Sequence, residues 1–319
     1  MKKIISTLFS LVLLSSCTGT QIPVVESTST IAATVEPTST VPSATAEAIL
    51  PTATMVAATP SAAPTESSLR TSPVDGMPQI YIPAGTFRMG GMDARSAPDE
   101  RPAHYVTLHA YWMDQLEVTN AMYLLCLQSG ACTPPQSFKS ARRPEYFNTV
   151  EFKDYPVIYV TWGQAHAYCE WAGRRLPSEA EWERAARGDD WRTFPWGEDK
   201  ADGLRANFNM LVGDTSRVGT YPLGASPFGV LDMAGNVAEW TNDFYGGTYY
   251  NTQADAVDPT GPESSASLKR VVRGGSLGDA EINIRVPKRS AVPGSNLEVV
   301  PNTPGDFSPR IGFRCAQDE

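Results

Sequence analysis

From Arg273 to Cys315 the chain shows no helical or strand period, yet both ends of the stretch are marked. Two glycines, Gly274 and Gly275, follow the β-branched pair Val271–Val272, and the other end closes on Ile-Gly-Phe-Arg-Cys almost at the last residue. A segment this long without structure of its own is either disordered or builds a site. Its anchored ends favour the second reading, so the remaining chain must supply a frame for a site-building loop.

That frame is sparse in regular structure. Thr119 is placed to start a helix over Asn-Ala-Met-Tyr-Leu-Leu-Cys-Leu-Gln-Ser, ended by Gly130. Thr161 and Gln164 form a capping-box pattern, in which each side chain satisfies an orphan amide near the other, and Ala165, Cys169 and Ala172 share one face before Gly173. Ser178 and Glu181 repeat the pattern ahead of a helix stopped by Gly188, with Glu179, Glu181 and Glu183 near its positive end. Met77–Gly91 alternates apolar and polar residues around Pro83–Ala84–Gly85 and reads as two short strands joined by a turn; His104–Thr119 gives more strand material. Beyond Gly188 there are only short strands and Gly/Pro punctuation. The class is α+β, and the roughly 240 residues from Gly76 onward form one large domain or two small ones.

The N-terminus has a different character. Lys2 and Lys3 precede an apolar run, Ile4 to Leu14, too short to span a bilayer and placed as an export signal. Residues 1–17 end Leu-Leu-Ser-Ser-Cys, which resembles the bacterial lipoprotein box, with Cys17 as the lipidated residue. Residues 18–75 are Ser, Thr, Pro, Ala and Val with few aromatics and read as a tether, because they cannot bury enough apolar surface to offset their ordering entropy. The expected location is the bacterial cell envelope or surface. A net charge of −9 argues against a nucleic-acid partner.

Four further cysteines, Cys126, Cys132, Cys169 and Cys315, suggest two disulfides in an exported chain, with three possible pairings. Cys126 and Cys132 flank a helix end and a turn, which suits a local bridge. The remaining pair would close a loop of about 146 residues and stabilise the fold by about 4–5 kcal/mol in the chain-entropy model.

Oxygen ligands for a hard cation are spaced around turns: Asp232 and Glu239 flank a glycine turn, and Asn207 and Asp214 form a second pair. His104, His109 and His166 are too scattered for a metal site, and no Ser–His–Asp arrangement or phosphate-binding glycine loop is present.

Nine segments then occur in order: IPAGTFRMG, DERP, EVTNAMY, the long PVIYVTWGQAHAYCEWAGRRLPSEAEWERAARG, FPWG, ANF, VGTYPLGASPFGVLDMAGNVAEWTND, RVVRGGS and IGFRC. Together they resemble the formylglycine-generating enzyme family, also called sulfatase-modifying factor domains, over nearly all of residues 76–319. The resemblance implies a C-type-lectin-like α+β fold with much irregular structure. It implies structural Ca²⁺ held by Asp232, the Gly235 and Val237 carbonyls and Glu239, and a second site from Asn207, the Phe208 carbonyl, Asp214 and the Ser216 carbonyl. It also pairs Cys169 with Cys315.

The catalytic positions do not carry over. The family's enzymes bind copper through cysteines three and eight residues after the serine of the RGGS-like motif; counted from Ser276, these positions hold Asp279 and Ile284. Soft Cu(I) selects thiolates, so the resemblance argues against copper. Ser276, Asp279, Glu281, Asn283, Arg285, Lys288 and Arg289 would line the family's peptide groove, or serve in part as structural arginine bridges. The expectation is a lipid-anchored, non-catalytic domain that binds a peptide, glycan or envelope protein. The alternative is an oxidoreductase acting through other residues, with Asp279 the first candidate.

Overall fold

A computed structural model describes residues 68–293 and 308–319. The expected signal peptide with Cys17, the tether up to residue 67 and residues 294–307 of the long C-terminal stretch lie outside the described residues.

In chain order the strands are β1 (Leu69–Thr71), β2 (Pro78–Ile82), β3 (Gly85–Met89), β4 (His104–Leu108), β5 (Tyr111–Asp114), β6 (Ala238–Phe244), β7 (Ala256–Val257), β8 (Lys269–Arg273), β9 (Ser290–Pro293), β10 (Ile311–Phe313) and β11 (Ala316–Asp318). The helices are α1 (Asn120–Ser129), α2 (Trp162–Trp171) and α3 (Glu179–Arg187). One sheet runs β1-β2-β5-β11 and is antiparallel throughout. A second runs β10-β6-β8-β9 with β10 parallel to β6, and a third runs β3-β4-β7. This is the expected α+β class.

The three helices begin where the sequence places them, because their caps are local. Thr119 accepts the Met122 amide at 3.3 Å, and Gly130 takes the left-handed conformation, φ 81°, that ends α1. Both capping boxes form, Thr161 with Gln164 and Ser178 with Glu181. The predicted face of α2 is buried: Ala165 and Cys169 lie in a core with Trp240, Phe313 and Cys315.

Two expectations change. The folded part begins before Gly76: β1 pairs with β2, Leu69 opposite Ile80, and the Asp75 carboxylate is buried against Arg174 and the Tyr168 hydroxyl. Composition alone could not show that the end of the tether supplies an edge strand. The strands on either side of Pro83–Ala84 also exist but are not partners. β2 pairs with β5 and β3 with β4, so the turn carries the chain between sheets while Ile80, Ile82, Phe87 and Met89 enter one core.

The C-terminus closes the domain. β10 joins the second sheet and β11 the first, with Arg314 and Cys315 between them. Cys315 is bonded to Cys169 across a Cα–Cα distance of 5.7 Å, and its amide donates to Asp114 Oδ2 at 2.9 Å. Cys126–Cys132 forms the local bridge. Replacing Cys169 and Cys315 together by alanine is expected to cost about 2–5 kcal/mol, lowering the melting temperature by on the order of 10 °C. Thermal unfolding of the double variant checks this; an unchanged midpoint would mean that the C-terminal strands are held without the bridge.

Candidate functional site

The site is organised around the head of α3. Glu179 and Glu183 lie one turn apart and are both buried. Arg289 meets the Glu179 carboxylate with two parallel hydrogen bonds, at 2.7 and 2.8 Å. Arg273, at the end of β8, donates to the same carboxylate at 3.2 Å and also to Glu183. Burial alone would push the Glu179 carboxyl up, but Arg289 and Arg273 outweigh it and hold the group below its ordinary 4.5. The glycines after Arg273 let the chain turn tightly over α3. At Gly275, φ 65°, a Cβ would lie 2.5 Å from the Asn283 carbonyl oxygen.

The segment that follows separates the expected groove residues. Ser276 is buried and donates to Asp279 Oδ2 through its amide (2.9 Å) and hydroxyl (2.7 Å), so Asp279 closes its own turn. Glu281 and Asn283 bound the next turn and are half-buried. Ile284 is wholly buried in an apolar cluster with Phe194, Ala206, Phe208 and Ala234. Arg285 is buried, donating to both oxygens of Glu100 at 3.1–3.2 Å; Lys288 Nζ lies 3.8 Å from the same carboxylate. Arg289 does not line an open groove. It is 2% exposed, held by Glu179 and covered by the Tyr250 ring 4.2 Å from its guanidinium.

Arg285 does reach a pocket. A cavity of about 340 Å³ lies between the loop after β3 (Gly91 to Ser96), the end of α3 at Arg187, the Trp191–Thr193 segment, and Arg285 with Pro287. Sequence reading missed this pocket, because its walls come from three stretches distant in the chain.

The two expected cation loops meet each other. Asn236 donates its amide to the Asn207 carbonyl at 2.7 Å and accepts the Ser216 amide at 2.8 Å. Gly235 (φ 79°) makes this possible, since a Cβ there would sit 2.4 Å from the Asn207 carbonyl oxygen. Asp214 accepts from Ser140 Oγ (2.6 Å) and the Arg142 and Thr215 amides. Asp232 accepts the Gly219 amide at 2.6 Å. Glu239 is bound by Arg314 through two 2.7 Å bonds and by Trp182 Nε1 at 2.8 Å. Glu117, absent from the sequence-derived set, is fully buried here and accepts from Asn236 Nδ2 (2.6 Å) and the Val237 amide. The histidines stay apart: His104 packs on Tyr250, His109 is exposed beside Asp258, and His166 pairs with Glu170.

Residues 65–319 match the Sulfatase-modifying factor enzyme 1-like domain. The chain belongs to the formylglycine-generating enzyme family. It is 33% identical to the formylglycine-generating enzyme of Streptomyces coelicolor over 309 residues, covering 81% of this chain and 94% of that protein. It is 34% identical to the serine/threonine-protein kinase pkn1 of Chlamydia pneumoniae over 75% of this chain, but spans only 38% of that protein. Among solved structures, PvdO from Pseudomonas aeruginosa superposes with a TM-score of 0.64 at 26% identity, over 81% of this chain and all of that one. The C-type-lectin-like α+β fold expected from the resemblance accords with this.

Two groups implied by the formylglycine-generating enzyme family can be tested on these residues. Copper does not fit the family's positions: Asp279 is tied to Ser276, Ile284 fills an apolar cluster, and all four cysteines among the described residues are in disulfides. Calcium fits the charge balance. Among the described residues, three buried carboxylates, Glu117, Asp232 and Glu239, share the buried cation Arg314. Burial, together with the neighbouring carboxylates, pushes Glu117 well up and Asp232 to about 6. The Asn207 Oδ1 atom is buried without a hydrogen-bond partner. No cluster of three or more His, Cys, Asp or Glu is gathered for a metal among the described residues, so calcium would draw on amide and carbonyl oxygens as well.

Glu179 gives the site a pH dependence of defined sign. Its folded form holds the proton less tightly than the unfolded chain, so its stabilising effect is present above pH 4.5 and lost as pH falls below that value. Asp243, whose carboxylate accepts the Glu179 amide, is pushed up by burial and by Glu179, and responds in the opposite sense. The informative quantity is therefore the difference between wild type and Glu179→Gln. That difference is expected to be about 3–5 kcal/mol at pH 7 and to shrink as pH falls below 4.5, measured by urea unfolding at each pH.

Proposed function

We propose that this chain is a non-catalytic binding domain on the formylglycine-generating enzyme frame, exported and held outside the membrane by lipid at Cys17. Its partner is a peptide, glycan or envelope protein. The observation that carries this reading is the state of the two copper positions. An enzyme of this family needs two thiolates there; this chain has a carboxylate consumed by its own turn and an isoleucine packed among aromatic and methyl groups. The disulfides leave no thiol among the described residues to replace them. The frame around those positions is nonetheless anchored at both ends by buried, well-bonded side chains, Arg273 and Arg289.

The alternative, an oxidoreductase acting through other residues, draws on the 33% identity to the Streptomyces coelicolor enzyme over nearly its full length. Asp279 is then the residue to replace. With Cu(I), oxygen and a Cys-x-Pro-x-Arg peptide, no oxidation of the peptide cysteine is expected, as read by mass spectrometry. Formation of the aldehyde would refute the non-catalytic reading.

Calcium belongs to the same proposal. One ion would be held by Asp232, Glu239 and the Gly235 and Val237 carbonyls, and a second by Asn207, Asp214 and the Phe208 and Ser216 carbonyls. Its chemistry is structural, neutralising the excess of buried carboxylates. EDTA is expected to lower the melting temperature by about 5–10 °C, with recovery on adding Ca²⁺, as for a ligand present at roughly 100 times its Kd. A midpoint indifferent to EDTA would remove calcium from the account.

A further inference from the structure

The pocket beside Arg285 is paired in charge and mixed in hydrogen-bonding character. Each arginine in its walls has a carboxylate of its own: Arg95 with Asp93, Arg187 with Glu183, Arg192 with Asp190 and Arg285 with Glu100. The other acid in the wall, Glu198, accepts the Thr193 amide and hydroxyl at 2.6 and 2.8 Å. An anion entering the cavity would lie against Asp93 and Glu198 and find every guanidinium engaged. A cation would lie against Arg95 and Arg192. Like charges at such close quarters disfavour both.

One wall is aromatic. Trp191 is 41% exposed and lines the cavity. Its Nε1 donates to the Gly90 carbonyl at 3.4 Å, and the Arg88 guanidinium lies 4.5 Å from the ring centroid, so the indole is held at an edge and on one face. Met92, also exposed, adds a second apolar group. The rest of the rim is polar, with Asp93, Arg95 and Glu198 all exposed. Arg95 Nη2 donates to Thr193 Oγ1 at 3.1 Å and ties the two sides of the rim together. Each Glu198 oxygen takes one bond from Thr193 and can accept another, while Arg95 contributes donors.

A ring with one apolar face and an edge of neutral hydroxyls is the match for these walls. Its C–H face covers the indole, and each hydroxyl, being donor and acceptor at once, can meet carboxylate or guanidinium. A volume of about 340 Å³ is at the small end of ligand pockets and suits a single ring better than an extended chain. We propose that this pocket binds one neutral sugar residue, its apolar face on Trp191 and its hydroxyls on Glu198, Asp93 and Arg95. The proposal rests on the binding-domain reading and chooses the glycan among its partners. A free monosaccharide and the end residue of a longer glycan present the same chemistry.

Calorimetric titration of the full-length protein tests the assignment. The probes are glucose, galactose, mannose and N-acetylglucosamine, each as the monosaccharide and as a 1,4-linked trimer, beside the matching uronates and amino sugars and a blocked alanine tripeptide. At least one neutral sugar is expected to bind at millimolar concentration, about 5-fold or more tightly than its charged counterparts. A trimer that binds more tightly than its monosaccharide assigns the end of a glycan; equal affinity assigns the free sugar. Trp191→Ala, at an exposed position, is expected to weaken binding about 5–10-fold with the circular dichroism spectrum kept, and Trp191→Phe to retain most of it. Asp93→Asn, which removes a negative charge from the rim, is expected to narrow the gap between the neutral sugar and its uronate several-fold.

No binding by any neutral sugar, binding that Trp191→Ala leaves unchanged, or binding of the tripeptide in place of the sugars would overturn the assignment. If no sugar binds and the cysteine peptide also stays unoxidised, the ligand class falls and the non-catalytic reading stands. Peptide oxidation alongside Trp191-dependent sugar binding would leave the pocket assigned and remove the non-catalytic reading.

Discussion

At the head of α3, Glu179 accepts from Arg289 and Arg273 while almost wholly withdrawn from water, and much of the surrounding chain is shaped by the need to satisfy it. A carboxylate in that position costs several kcal/mol to desolvate unless cations are brought to it with good geometry. Every residue of α3 is buried, so none of its charged side chains can turn to solvent instead. The chain from the end of β8 therefore has to wrap back over the helix, with Arg273 closing the strand and Arg289 lying at the far end of the loop. Glu183 extends the arrangement to a third segment, accepting the Gly90 amide at 2.7 Å while pairing with Arg187 and Arg273. Apolar residues of equal volume could hold α3 as firmly. Ion pairs add directionality, fixing where an otherwise irregular loop must pass.

Trp182 couples this network to the closure of the domain. Its ring lies beneath Arg273 and against Gly274, where a Cβ would come within 3.2 Å, while its Nε1 donates to Glu239. Glu239 is in turn the partner of Arg314, which also donates to the carbonyls of Asp114, Gln115 and Leu231. The next residue is Cys315, bridged to α2. One indole thus joins the frame of the site to the point where the last two strands enter separate sheets. With strands only two to seven residues long, such cross-links between segments substitute for the long ladders that hold more regular folds.

What was legible in the sequence was what is local. Thr119, Thr161 and Ser178 announce their helices because a cap is decided within four residues, and the Cys126–Cys132 bridge spans only a turn. The buried network was not legible for the opposite reason. Glu179 and Glu181 sit in a first helical turn, where acids are ordinary companions of the helix dipole. Nothing nearby shows that Glu179 answers to arginines 94 and 110 positions away. The same distance hid Glu117 among the cation loops and concealed the change of sheet between β2 and β3. Resemblance to the family agreed with the Cys169–Cys315 pairing that a local bridge leaves over, and supplied the two positions that matter most for chemistry. It also placed Arg289 in the groove, where the structure buries it as a support.

The separation of frame from chemistry follows from how each is held. Two thiolates kept free for a metal must be neither bonded nor packed away, and such a site is lost once its positions find local partners. Asp279 and Ile284 have done so, one by hydrogen bonds within its own turn and the other by apolar contact. The arginine frame cannot be relaxed in the same way, because removing any carboxylate or guanidinium strands a buried charge. On the non-catalytic reading proposed above, the buried arginine–carboxylate frame persists around two positions that hold no thiolate.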